Sequence, residues 1–138
     1  MAKELMIVDD SDMIRRLIEM SLASEGYRIL QASTGEAAVR LFRERGPQAV
    51  ILDIAMPGSM DGLEACKLIK QGWGGQTPFV VILSARCNSV DQQSAKEAGA
   101  DAFLAKPFSP RQLNELIQDH MARSTQPALG DSGPIACH

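Results

Sequence analysis

Five short apolar runs punctuate the chain: Glu4–Val8 (ELMIV), Tyr27–Ala32 (YRILQA), Gln48–Leu52 (QAVIL), Phe79–Ser84 (FVVILS) and Asp101–Ala105 (DAFLA). Continuous Val, Ile and Leu, rather than strict alternation, is the pattern of parallel strands covered on both faces. Between the runs, apolar residues recur at three-and-four spacing. Ile14, Leu17, Ile18 and Leu22 mark a first helix behind a Ser11 or Asp12 cap, and Gly26 sits where that helix stops. Thr34 opens a second helix, which turns Ala38, Leu41 and Phe42 inward and ends at Gly46-Pro47. Leu63, Cys66, Leu68 and Ile69 mark a third, closed by the loop GWGGQTP, and a weaker fourth covers Val90–Ala98 before Gly99. The fifth begins at Ser109-Pro110, a cap followed by a first-turn proline, and carries Leu113, Leu116, Ile117 and Met121. Strands alternating with helices predict an α/β domain, a doubly wound five-stranded parallel sheet with helices on both faces.

From Ser124 onward the sequence STQPALGDSGPIACH loses all periodicity and fills with Gly, Pro, Ser and Thr. The reading is one domain over 1–123 and a flexible C-terminal tail over 124–138, with added residues or a partner-docking peptide as the alternatives for the tail. A length of 138 residues suits one domain with a proper core.

Hydrophobic residues at 45%, charged residues at 22% and a net charge of −3 describe a globular protein that dissolves in water. A protein that tracks phosphates carries a basic patch, so neither nucleic acid nor a membrane surface is an expected partner. No apolar run approaches the roughly 20 residues that span a bilayer, and MAKELMIVDD is unlike a signal peptide. The expected location is therefore cytoplasmic. Cys66, Cys87 and Cys137 are an odd set without C-x-x-C spacing, so they indicate packing residues or idle thiols, not a disulfide framework or a zinc site.

The chemistry is concentrated at the strand ends. In open parallel sheets, ligands bind beyond the carboxyl ends of the strands. There the sequence places Asp9 and Asp10 after the first strand, Asp53 after the third, Ser84 after the fourth and Lys106 after the fifth. Three carboxylates in one crevice repel each other, and a divalent cation removes that conflict. All-oxygen ligation with few protein donors is what magnesium prefers. Taken alone, Asp9-Asp10 reads equally as the acidic start of a helix, Lys106 as a surface or counter-ion lysine, and Ser84 as a loop cap.

At these residues the sequence resembles the receiver domain of two-component response regulators, over nearly all of residues 3–122. The motifs are IVDD (Ile7–Asp10), LDIAMPGSMDG (Leu52–Gly62), ILSA (Ile82–Ala85) and FLAKPF (Phe103–Phe108), each weak alone and specific as an ordered set. The resemblance implies a flavodoxin-like sheet with strand order 2-1-3-4-5. It further implies that Asp53 is a phosphoacceptor served by a histidine of a sensor kinase or a histidine phosphotransfer protein. By the same resemblance, Asp10, Asp53 and the Ala55 backbone carbonyl bind Mg2+ (or Mn2+), with Asp9 acting through water. Lys106 pairs with the phosphoryl oxygens, Ser84 is the switch hydroxyl, and Phe103 is the aromatic that moves inward when that hydroxyl shifts. Such a protein is a switch that accepts and loses a phosphoryl group, not an enzyme acting on a separate substrate. Its output lies on the face formed by the fourth helix, fifth strand and fifth helix, and binds a downstream protein. The implied state is a monomer or a switchable dimer.

Two departures stand out. The family's commonest loop has one residue between Pro and Met-Asp-Gly, and here Gly58-Ser59 supplies two; Phe103 also lacks a tyrosine hydroxyl. Ala55 and Arg86, two positions beyond Asp53 and Ser84, flank the path of an attacking water and are expected to set the phosphoryl lifetime. Among other readings, a haloacid-dehalogenase-type phosphatase would need an acid where Ala55 stands. A flavodoxin-like flavin binder would need a phosphate cradle where the acidic Asp9–Asp12 turn lies. A receiver-like module that no longer takes phosphate, and the severed front of a larger regulator, are the remaining alternatives. Because only residues 122–138 follow Met121, the stand-alone form is expected over one with a DNA-binding module. His120 and His138 read as incidental.

Overall fold

Each apolar run forms a strand and each periodic stretch a helix in the computed structural model. It describes residues 3–23, 26–55, 60–72, 77–85, 89–106 and 108–122, the last three by their backbone alone. In chain order the elements are β1 (Glu4–Val8), α1 (Asp12–Ala23), β2 (Arg28–Ala32), α2 (Gly35–Arg45), β3 (Ala49–Asp53), α3 (Gly62–Lys70), β4 (Phe79–Ser84), α4 (Ser89–Glu97), β5 (Ala102–Ala105) and α5 (Pro110–Ala122). All strand pairs are parallel, and the order across the sheet is β2-β1-β3-β4-β5, as the resemblance implied. In a parallel sheet every strand finishes at the same edge. This places the ends of β1, β3, β4 and β5 side by side.

Because successive side chains point to opposite faces, an unbroken apolar strand feeds two cores at once. Met6, Val8, Val50, Leu52, Val80, Ile82 and Phe103 pack on one face beneath Phe42 of α2, Cys66 and Ile69 of α3 and Ala95 of α4. Leu5, Ile7, Ile51, Val81, Leu83 and Leu104 pack on the other against Ile18 and Leu22 of α1 and Leu113 and Ile117 of α5. Cys66 is one of the fully buried residues, a packing residue as expected. Burial pushes its thiol pKa up to about 12, which leaves it a neutral filler.

Local chemistry sets the helix ends. The Thr34 hydroxyl accepts the Ala37 N–H at 3.1 Å, and Gly46, at φ 59°, donates its own N–H to the Phe42 carbonyl at 2.8 Å. Of the two proposed caps for α1 it is Ser11 whose hydroxyl accepts the Ile14 N–H, at 3.3 Å.

The apolar positions of α1 do not all share one face. Leu17 is 45% exposed, in line with Met13 at 79% and Met20 at 70%. The buried ridge is Ile14, Ile18 and Leu22, and Leu17 lies about 100° round the helix from Ile18. The apolar positions thus belong to two stripes, one inward and one outward. Pro57, Gly58, Ser59, Arg86, Cys87, Pro107, most of GWGGQTP and the proposed tail lie outside the described residues.

Candidate functional site

At the carboxyl edge of the sheet, β1 runs straight into Asp9, which is only 1% exposed, and Asp10 follows in the open. Asp53 is the last residue of β3, one beyond the apolar run, and Ser84 is the last of β4. Both are buried, Asp53 to 6% exposure. Lys106 follows β5, its backbone N–H donating to the Ser84 carbonyl at 2.6 Å. The sheet therefore brings all five residues to one edge.

Asp9, Asp10 and Asp53 each offer a carboxylate oxygen within 4.8 Å of the others, a spacing that could hold a metal ion. Lys106 reaches into the cluster, its Nζ donating to Asp9 Oδ2 at 3.1 Å and lying 3.3 Å from Asp53 Oδ2. Asp9 is pinned further: its Oδ1 accepts the Ser11 N–H at 2.9 Å, and its own N–H donates to the Ala32 carbonyl at 3.2 Å. The Asp10 carboxylate, by contrast, has no hydrogen-bond or ion-pair partner among the described residues.

The electrostatics follow from this crowding. Burial, and then the Asp9 charge, hold the Asp53 carboxyl above the ordinary aspartate range, although Lys106 and the Ala55 N–H pull the other way. Burial alone would lower the Lys106 pKa. Its hydrogen bond to Asp9 and the charges of Asp53 and Asp9 outweigh that and raise it. One lysine thus offsets part of a three-acid cluster, and the donor set is all oxygen, which fits a hard divalent cation such as Mg2+. The exposed Ala55, two residues past Asp53, leaves its carbonyl on the same loop.

Ser84 and Phe103 occupy defined positions on the fourth and fifth strands. The Ser84 hydroxyl faces Asp91 Oδ2 of α4 at 3.5 Å. Phe103, expected to move inward, is already fully buried in the core beneath α4.

Sequence reasoning missed Arg15. Its Nη1 donates to the Asp9 carbonyl oxygen at 2.5 Å, its Nε to Gln31 Oε1 at 3.0 Å, and its Nη2 to Asp12. The signal was the three-residue spacing of Asp12 and Arg15 on one helical face. Asp61 was missed too; it caps α3 by accepting the Glu64 N–H at 2.9 Å. Behind it Gly62 lies so close to β3 that a Cβ there would sit 2.0 Å from the Asp53 carbonyl oxygen.

Residues 5–118 match the response regulator receiver domain family. This chain belongs to that family. The receiver is similar to the transcriptional regulatory protein AfsQ1 of Streptomyces coelicolor, 35% identical over 119 residues. That match takes in 86% of this chain and 51% of AfsQ1, so the receiver spans about half the length of this curated relative. A response regulator from Chloroflexus aurantiacus superposes with a TM-score of 0.82 at 33% identity, over 89% of this chain and all of that one. The receiver domain of the sensor histidine kinase PA1611 from Pseudomonas aeruginosa, solved with a magnesium ion in its active-site cleft, superposes at 0.79. It is 28% identical, over 88% of this chain and 99% of that one. Among the described residues of the receiver, no helix is long and apolar enough to cross a membrane.

Proposed function

We propose that this receiver is a phospho-accepting switch of a two-component phosphorelay, with Asp53 as the nucleophile. One observation carries the reading: a buried carboxylate at a strand end shares its crevice with two further acids and a single lysine. In the transfer, an Asp53 carboxylate oxygen attacks the phosphorus of a phosphohistidine on a sensor kinase or histidine phosphotransfer protein. The P–N bond breaks and its electron pair stays on the imidazole nitrogen. Such a reaction needs little covalent help and is governed by positioning and charge. Asp10, Asp53 and the Ala55 carbonyl would hold Mg2+ or Mn2+, with Asp9 acting through water. When bound, the metal supplies charge neutralisation for the transferred oxygens. Offsetting the Asp9 charge also relieves part of the upward pressure on the Asp53 pKa.

Lys106 already stands 3.3 Å from Asp53, where it can pair with the phosphoryl oxygens. Ser84, next on the sheet, is the hydroxyl that turns to them, leaving Asp91. Phosphorylation adds charge beside that hydroxyl and draws its loop inward. The change is read on the face made by α4, β5 and α5, where a downstream protein binds. The outward stripe Met13, Leu17 and Met20 begins beside the acidic crevice and offers the phosphodonor an apolar surface to lie on. In this reading residues 1–123 form the switch, 124–138 a flexible tail, and the protein works in the cytoplasm.

Incubation with acetyl phosphate and Mg2+ should add one phosphoryl equivalent by intact mass, absent in Asp53→Asn. No uptake by the wild type would overturn the reading.

A further inference from the structure

Asp10 is the acid of the cluster that no side chain steers. Asp9 and Asp53 are buried and share Lys106, whereas the Asp10 carboxylate is exposed and without a partner among the described residues. Its direction is consequently set by its backbone, and the peptide plane joining Asp9 to Asp10 is the part of the backbone that decides it. Arg15 grips that plane: the guanidinium donates to the Asp9 carbonyl oxygen at 2.5 Å. The same side chain, only 13% exposed, is itself anchored by Nε to Gln31 on β2 at 3.0 Å and by Nη2 to Asp12 at the start of α1. Three acceptors on three segments are spanned by one planar fork. A lysine, whose three donors radiate from a single nitrogen, cannot span them.

We propose that Arg15 is a positioning residue for the metal: it acts through the Asp9–Asp10 peptide to hold Asp10 in place. This rests on the metal-dependent reading of the same crevice. Outer partners that orient a ligand are worth a large share of metal affinity. The proposal also makes a prediction of opposite sign to simple electrostatics. Arg15 is a cation near a cation site, so as a bare charge its removal would tighten Mg2+ binding. As a positioning residue its removal weakens binding.

The experiment is calorimetric titration of the full chain with Mg2+ alone, with fluoroberyllate uptake in the presence of Mg2+ followed by fluorine NMR. Arg15→Ala and Arg15→Lys should each weaken Mg2+ binding about tenfold. Gln31→Ala, which removes one anchor, should weaken it about two- to threefold. Asp12→Ala should weaken it less than Gln31→Ala does, because Asp12 is 88% exposed and solvent screens its pair with Arg15. Thermal midpoints measured without metal separate loss of fold from loss of position, since a purely structural Arg15 would lower the midpoint and leave Mg2+ affinity alone. Should Arg15→Ala fail to fold, Arg15→Lys and Gln31→Ala carry the test. Unchanged or tighter binding in Arg15→Ala, or wild-type binding in Arg15→Lys, would overturn the proposal. A wild type that binds neither Mg2+ nor fluoroberyllate would instead sink the phospho-switch reading itself.

Discussion

The two edges of the sheet carry the same kinds of charged residue in opposite proportions. At the amino edge, Glu4 on β1 meets Arg45 at 2.7 Å and Arg28 at 3.7 Å. Asp101, just before β5, meets Lys70 of α3 at 2.8 Å and accepts the Val80 N–H at 2.9 Å. Lys70 donates in turn to the Pro78 carbonyl at 2.9 Å. In these pairs, among the described residues, two carboxylates meet three cations, and each closes a gap between elements. At the carboxyl edge three carboxylates face one lysine, and two of the three are buried. The first edge is complete in itself. The second is short of positive charge, and that shortfall is what makes it a site.

The deepest cut into this contrast is at the metal. Asp10→Asn should weaken Mg2+ binding by about ten- to a hundredfold in a calorimetric titration, whereas Asp101→Asn should leave it untouched. Equal losses in both would mean that the two edges do not differ in kind.

Next comes the backbone that supports Asp53. Gly62→Ala places a methyl group against the Asp53 carbonyl oxygen and should cost about 2–3 kcal/mol in urea unfolding. A neutral result would show that α3 is free to retreat from β3.

A third test compares one substitution at both edges. Asp101→Asn, which weakens a bond to Lys70 and one to the Val80 N–H, should cost about 1–2 kcal/mol. Asp53→Asn without metal should instead raise the urea midpoint at neutral pH. The sign follows from Asp53, whose folded pKa is raised: its contribution is fully present below the ordinary aspartate value and is lost as pH rises through the raised one. The advantage of Asp53→Asn should therefore shrink as pH falls from about 7 to about 4. Lys106, also raised, adds stability that persists until pH climbs above the ordinary lysine range. A constant gap between wild type and Asp53→Asn across that range would break the argument.

The smallest effect belongs to Glu4→Gln. Its arginine partners are 42% and 63% exposed, so the loss should stay below about 1 kcal/mol.

How much of this was legible beforehand depends on the range of the interaction. β1 and β4 were read with their observed bounds, because a strand buried on both faces must be apolar at every position. The site residues could be placed at one edge because parallel strands all end there. β3 ran one residue further than read, since a polar Asp53 looks like a stop while the ladder carries it to pair with Leu83. Spacing did not show which way Leu17 faces, because an outward apolar stripe has the same period as an inward one. For Arg15 the sequence offered only its spacing from Asp12, and for Gly62 it offered nothing. A guanidinium bridging the turn after β1, β2 and α1, and a missing methyl group against a distant carbonyl, are facts about three-dimensional neighbours that local spacing does not report.

Gly62 has a mechanical side. On one flank of Asp53, α3 abuts the strand backbone with no side chain between, and buries Gly62, Ala65, Cys66 and Ile69. On the other flank, α4 buries Ala95 alone. Asp53 therefore stands between a closely packed wall and a more loosely packed one. In the proposed switch, strain introduced at that carboxylate would be relieved on the loosely packed side, before any partner arrives.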